Sequence, residues 1–273
     1  MVFKRHTNTS YQLKYPKTMI VAEQVSKSFD GGKTFAAKEV SFTVERGTLL
    51  ALLGGSGSGK STTIKMINRL IEPTSGKILV DDQDVAKQDP VLLRRSIGYV
   101  FQAIGLFPHM TVRENVGMVP KLLGQMADTY ASRVDELLDM VELPAGEFGS
   151  RFPNQLSGGQ RQRVGFARAL AGGAKVMLLD EPFGALDPVT RDSLQTEFKM
   201  LQKKFELTAV VVTHDMAEAL LLADQIAVMK DGEVVRIGTP RELLKDPGDD
   251  YVAQLLSTPK RHGELMRRLE MGD

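Results

Sequence analysis

A nearly all-apolar run, TLLALL (48–53), leads directly into GGSGSGKST (54–62), and a segment with Ile64, Ile67, Leu70 and Ile71 at helical spacing follows. The run reads as a strand buried on both faces and the segment as an amphipathic helix. The glycines between them let the backbone turn tightly enough to wrap its N–H groups around an anion, and the helix N-terminus adds unpaired donors and partial positive charge. Strand, GxxxxGKS, helix is the order of a phosphate loop. At ordinary glycine usage a chance match is roughly a one-in-a-hundred event, so nucleotide binding is preferred over a flexible turn. Gly54, Gly55, Ser56, Gly57, Ser58, Gly59 and Thr62 then form the cradle, Lys60 reaches the β- and γ-phosphates, and Ser61 ligates magnesium.

Two further apolar runs, KVMLLD (175–180) and TAVVVT (208–213), read as parallel strands buried on both faces. Alternation over 19–29 and in KEVSFTVE (38–45), with Val40, Phe42 and Val44 on one side, predicts antiparallel strands with one wet face. Val134, Leu137, Leu138 and Val141 recur at helical spacing, and most of 108–156 lacks buried strands. In IAVMKDGEVVRIG, Asp231 and Gly232 separate two alternating runs, a hairpin signal. The fold class is therefore α/β: a P-loop NTPase core with an antiparallel β-subdomain and an inserted helical subdomain at about 103–172.

Bulk composition narrows the partners. A chain of 273 residues, 42% hydrophobic and 25% charged, can bury a substantial core. A net charge of +1, without a basic stripe interleaved with aromatics, argues against nucleic acid as the main partner. The absence of cysteine excludes disulfides and thiolate metal sites and fits a reducing compartment. The apolar runs fall short of the roughly 18 to 20 residues that span a bilayer, so any membrane crossing belongs to another chain. MVFKRHTNTSYQLKYPKT (1–18) lacks the apolar core of a secretory signal and reads as a loosely ordered leader.

VMLLDEP (176–182) ends a buried strand in two carboxylates. Neighbouring strand residues point to opposite sides, which gives Asp180 and Glu181 different tasks: Asp180 for magnesium, Glu181 for polarising the water that attacks the γ-phosphate. LSGGQ (156–160) then opens a second helix. Ser157, Gly158, Gly159 and Gln160 form either a structural cap or a second phosphate site.

GxxxxGKS at 54–61, LSGGQ at 156–160, VMLLDE at 176–181, ALD at 185–187 and THD at 213–215 occur in the order of ABC-transporter nucleotide-binding domains, and the resemblance covers roughly 19–238. It implies a homodimer in the ATP-bound state, in which LSGGQ of one copy closes over the γ-phosphate held by the other. Gln102 matches the glutamine near magnesium and the attacking water, and His214 the histidine that senses the γ-phosphate. Phe29 matches the aromatic that stacks on adenine, with strand packing as the competing role. Asp187 matches the loop linking the two sites, with a helix cap as its alternative. Gly55 stands where proline is common. Since glycine only loosens the loop, ATP binding is expected to persist.

The resemblance extends to a subgroup. KMINRLIEPTSGKI, VPKLL and DEPFGALDPVTRDSLQTEFKMLQK are most similar to ATPases of bacterial osmoprotectant importers for glycine betaine, carnitine, choline or proline. This implies separate integral membrane permease subunits, indirectly a solute-binding protein, and a peripheral position at the cytoplasmic face of the inner membrane. AIGLFPHMTV (103–112) corresponds to part of the groove that receives a membrane-subunit helix, with core packing as its alternative. The expected organisation is a leader over 1–18, a nucleotide-binding domain over 19–240, and a short helical tail over 241–273 without the CBS domains common in the subgroup. RHGELMRRLE (261–270) reads as a solvated end or a dimer contact. An importer of another solute, an exporter, a soluble ABC ATPase and a regulatory module without turnover remain alternatives.

Overall fold

The computed structural model describes residues 18–271, so the leader expected over 1–18 lies outside the described residues except for Thr18. The described residues open with β1 (Thr18–Lys27), β2 (Ala37–Glu45), β3 (Leu49–Leu53), α1 (Lys60–Ile67), β4 (Ser75–Val80), β5 (Gln83–Asp84), α2 (Pro90–Ser96) and β6 (Ile97–Val100). Helices alone follow: α3 (Val112–Val116), α4 (Met118–Leu122), α5 (Ala127–Met140), α6 (Ala145–Phe148) and α7 (Gly158–Ala171). The remainder is β7 (Val176–Asp180), α8 (Pro188–Lys204), β8 (Thr208–Thr213), α9 (Met216–Leu222), β9 (Gln225–Lys230), β10 (Glu233–Gly238), α10 (Pro240–Lys245) and α11 (Asp250–Met271).

Two sheets form, an antiparallel one in the order β2-β1-β4-β5 and a six-stranded one in the order β10-β9-β3-β8-β7-β6. In the larger sheet only β10 runs antiparallel. Its strands alternate side chains between two cores: Leu49, Ala51, Leu53, Met177, Leu179, Val211 and Val228 enter one with α5, α7 and α8, while Leu50, Leu52, Leu178, Val210, Val212 and Met229 enter the other with the antiparallel sheet. The period of two thus makes the sheet a wall buried on both sides, which is why these strands are continuously apolar.

Several expectations change in detail. β1 is not half wet: its Met19, Ile20, Ala22 and Val25 enter the core shared with the larger sheet, and within the strand only Gln24 is exposed. α1 ends at Ile67, because Arg69 adopts a left-handed φ of 54°. Leu70 is therefore an exposed residue beyond the helix, and Ile71 packs from the loop. β9 does not alternate but is buried over four residues, since β3 and β10 cover its two edges and a core lies on each face. The hairpin after it holds, with Asp231 and Gly232 both at positive φ, 50° and 84°. The segment at 261–270 is the far end of a longer helix. It continues α11, whose Val252 and Leu256 are docked while Leu265 and Met266 are exposed.

Candidate nucleotide site

Register in the parallel sheet aligns four chain exits. Leu53 pairs with Thr213, Asp180 with Val212, and Val100 with Leu179. The residues that follow therefore emerge side by side at the carboxyl ends of the strands, where α/β sheets place ligands. They surround a cleft of about 820 Å³ lined by Gly55, Ser56, Gly57, Gly59, Lys60, Ser61 and Thr62 on one side and by Ala36, Gln102, Glu181 and His214 around it.

At two loop positions a side chain would collide with backbone. A Cβ on Gly54 would stand 2.2 Å from the Met229 carbonyl oxygen, and Gly59, at φ 95°, would place one 2.3 Å from that of Ala36. Gly59 caps α1 without a side-chain bond, which leaves the first-turn N–H donors facing the cleft. Lys60, only 5% exposed, donates from Nζ to the carbonyls of Gly54 and Gly55 at 2.9 and 2.7 Å and to Ser58 Oγ at 3.3 Å. Burial lowers its pKa, and the nearby charges of Glu181 and Asp180 oppose that shift.

Asp180 ends β7 and accepts from Ser61 Oγ at 2.8 Å and, more weakly, from Tyr99 Oη at 3.5 Å. Burial first, then the Asp180 charge, raises the Tyr99 pKa and keeps the phenol a donor. Glu181 departs from the strand alternation expected of it. It lies past the end of β7 in the left-handed region at φ 47°, so a sharp turn, not the pleat, separates it from Asp180. Such a conformation costs on the order of 1–3 kcal/mol and clusters at functional sites. The turn brings Glu181 Oε2 to 3.2 Å from Gln102 Nε2, which donates to it, and to 3.5 Å from His214 Nδ1.

The Ser61 hydroxyl, the Asp180 carboxylate and the Gln102 amide are hard oxygen donors of the kind magnesium takes alongside phosphate and water. Among the described residues no cluster of three or more His, Cys, Asp or Glu could hold a metal.

The second glycine turn sits elsewhere. Ser157 caps α7, its Oγ accepting from the Gln160 N–H at 3.2 Å and its own N–H donating to Gln160 Oε1 at 2.9 Å. None of Ser157, Gly158, Gly159 and Gln160 is among the residues lining the phosphate-loop cleft. Gly159 is buried, and a Cβ there would meet Thr190 Cγ2 of α8 at 2.5 Å, so this glycine serves close helix packing. Phe29 lies beyond the end of β1, 67% exposed, with Lys27 Nζ 5.0 Å from its ring centroid; strand packing is excluded, and it does not line the cleft. Asp187 caps α8 by accepting from the Thr190 N–H at 3.1 Å. Of the segment after Gln102, Leu106 packs on the core and Phe107 is exposed, with Asn115 bonded to both the N–H and the carbonyl of Phe107.

Sequence reasoning missed four residues that hold this arrangement. Tyr99 contacts Asp180. Arg168 of α7, almost fully buried, donates to the carbonyls of Ile104 and Gly105 at 2.7 Å each, tying the helix that LSGGQ opens to the segment after Gln102. Arg191 similarly holds the Phe183 and Leu186 carbonyls beside Asp187. Glu218 of α9 lies beneath the site, where a cavity of about 30 Å³, room for one water, is bounded by Glu218, Glu181, His214 and Arg191. The only sequence signal for Arg168 was a charge within the apolar run of RQRVGFARAL.

Residues 37–184 match the ABC transporter family. The chain is 53% identical, over 87% of its length and 59% of the relative's, to the carnitine transport ATP-binding protein OpuCA of Listeria monocytogenes. To the choline transport ATP-binding protein OpuBA of Bacillus subtilis it is 52% identical over 87% of its length and 62% of the relative's. The chain thus spans about three fifths of the length of these curated relatives. Among solved structures, the dimeric post-hydrolysis state of the ATP-binding cassette MJ0796 bound to ADP and Pi matches with a TM-score of 0.73 and 37% identity, covering 82% of this chain and 99% of that one.

Proposed function

The chain belongs to the ABC transporter family, and from that premise we propose that it is a magnesium-dependent ATPase subunit powering import of an osmoprotectant such as glycine betaine, carnitine or choline through separate membrane subunits. The solute class rests on the carnitine and choline transport relatives, and the chemistry on the cleft. Residues 19–240 form the nucleotide-binding domain, with a helical subdomain at about 103–172. No helix among the described residues is long and apolar enough to cross a membrane, which suits a peripheral subunit docked from the cytoplasmic face through the segment after Gln102.

In this reading the exposed Phe29 ring offers a stacking platform for adenine, the Gly54-to-Thr62 loop wraps the triphosphate, and Lys60 neutralises its β- and γ-oxygens. Ser61, Asp180 and Gln102 would hold Mg²⁺, which would supply further neutralisation of the phosphate oxygens. Glu181 accepts the proton of the attacking water as the γ-phosphoryl group leaves ADP as inorganic phosphate. Gln102 and His214 orient that carboxylate. Ser157, Gly158, Gly159 and Gln160 open a helix away from their own chain's cleft, so they serve the nucleotide of a second copy. A two-fold dimer, the state of the MJ0796 cassette, then makes two composite sites from one self-complementary surface. A solute-binding protein takes part indirectly, by delivering solute to the membrane subunits.

The observation that carries this proposal is the meeting of Gln102 Nε2 and His214 Nδ1 on one oxygen of Glu181 at the edge of the phosphate-loop cleft. Glu181→Gln is expected to slow ATP hydrolysis by at least about a hundredfold while leaving ATP binding intact. Near-normal turnover in that variant would remove Glu181 from the role of base.

A further inference from the structure

The peptide unit joining Gly54 to Gly55 is held at both edges. Its carbonyl accepts from Lys60 Nζ at 2.9 Å, and its N–H donates to the Tyr251 hydroxyl at 3.0 Å. A trans peptide points these two groups in opposite directions within one plane, so the two partners together fix the rotation of that plane. Lys60 Nζ also donates to the Gly55 carbonyl at 2.7 Å, which ties the ammonium to both sides of the residue that Tyr251 grips.

The hydroxyl is delivered by a docked element. Tyr251 lies in the first turn of α11, its N–H donates to Asp249 Oδ1 at 2.8 Å, and Lys230 Nζ stands 5.3 Å from its ring centroid. Val252 and Leu256 of the same helix are buried. Beyond Tyr251, α11 faces His214 and the start of α9 at Met216 across a groove of about 540 Å³. One helix therefore reaches both the phosphate loop and the histidine loop.

Space does not account for glycine at position 55, because a Cβ there would stand 3.5 Å from Tyr251 Oη, an ordinary contact. What the bond requires is an N–H. Proline, common at this position in the family the chain resembles, has none, and its ring would project toward the tyrosine hydroxyl. Glycine here keeps the N–H that admits a tether from 196 residues away.

We propose that Tyr251 is a positioning residue for Lys60, acting through the Gly54–Gly55 peptide plane, and that Gly55 and Tyr251 operate as a pair. The inference rests on the reading of this loop as the triphosphate site. It is tested on the full chain with Tyr251→Phe, Gly55→Pro and the double variant, measuring Mg-ATP affinity and hydrogen exchange of the Gly55 amide. Tyr251→Phe is expected to weaken ATP binding about 2- to 10-fold, the range for one hydrogen bond, and to speed exchange at Gly55. In the Gly55→Pro background the same change is expected to add nothing, because the bond is already gone. Unchanged affinity and exchange in Tyr251→Phe, or full additivity in the double variant, would overturn the pairing. Failure of the wild-type chain to bind Mg-ATP would instead overturn the triphosphate reading, and the exchange measurement would still decide whether the tether exists. If Gly55→Pro does not fold, the two Tyr251→Phe readouts decide alone.

Discussion

Glu218 ties stability to pH at the floor of the site. It is 6% exposed, its Oε2 accepts from Gln195 Nε2 at 3.3 Å, and its Oε1 lacks a partner of good geometry. Burial pushes its carboxyl from 4.5 up to about 7; the Thr213 hydroxyl pulls back, Asp215 adds to the rise, and Arg191 and Gln195 oppose it. A raised carboxyl means that the folded chain keeps a proton which the unfolded chain has released. This contribution to stability is therefore complete below about pH 4.5 and is lost as the pH rises through about 7, and the gap corresponds to about 3 kcal/mol. Glu218→Gln retains the shape and abolishes the titration. Urea unfolding between about pH 4.5 and about pH 8 is expected to show a flatter profile for the variant, which gains on the wild type by up to about 3 kcal/mol toward the alkaline end. Parallel profiles, separated by a constant offset, would refute the assignment of the titration to Glu218.

Gly59→Ala forces a left-handed residue against the Ala36 carbonyl; it is expected to cost about 1–3 kcal/mol in thermal or denaturant unfolding and to weaken ATP binding, and wild-type values for both would contradict that account. Ser157→Ala removes the acceptor for the Gln160 N–H, for about 1 kcal/mol of stability, and in a composite site it lowers hydrolysis far more than it lowers ATP affinity; equal small changes in both would leave only a helix cap.

Legibility followed the range of each interaction. The buried strands, the phosphate loop and the Asp231–Gly232 hairpin were readable because their signals are local: continuous apolarity, glycine spacing, and a two-residue turn at positive φ. The end of α1 was not, because Arg69 turns left-handed where apolar spacing continues through Ile71. Glu181 was assigned to the right neighbourhood on the wrong geometry, since alternation describes a residue inside a strand and this one lies just outside it.

The amino-acid order alone determined that a buried strand would deliver a glycine loop and Lys60 to one end of a parallel sheet, because backbone reach and side-chain periodicity act over a few residues. Tertiary structure decided what surrounds that lysine. Placing β3 between β8 and β9 brings Gly54 beside His214 and Met229, and docking α11 brings Tyr251 to Gly55. Contacts between residues over a hundred positions apart depend on which strands become neighbours, and burial of both sheet faces, not any local pattern, selects those neighbours.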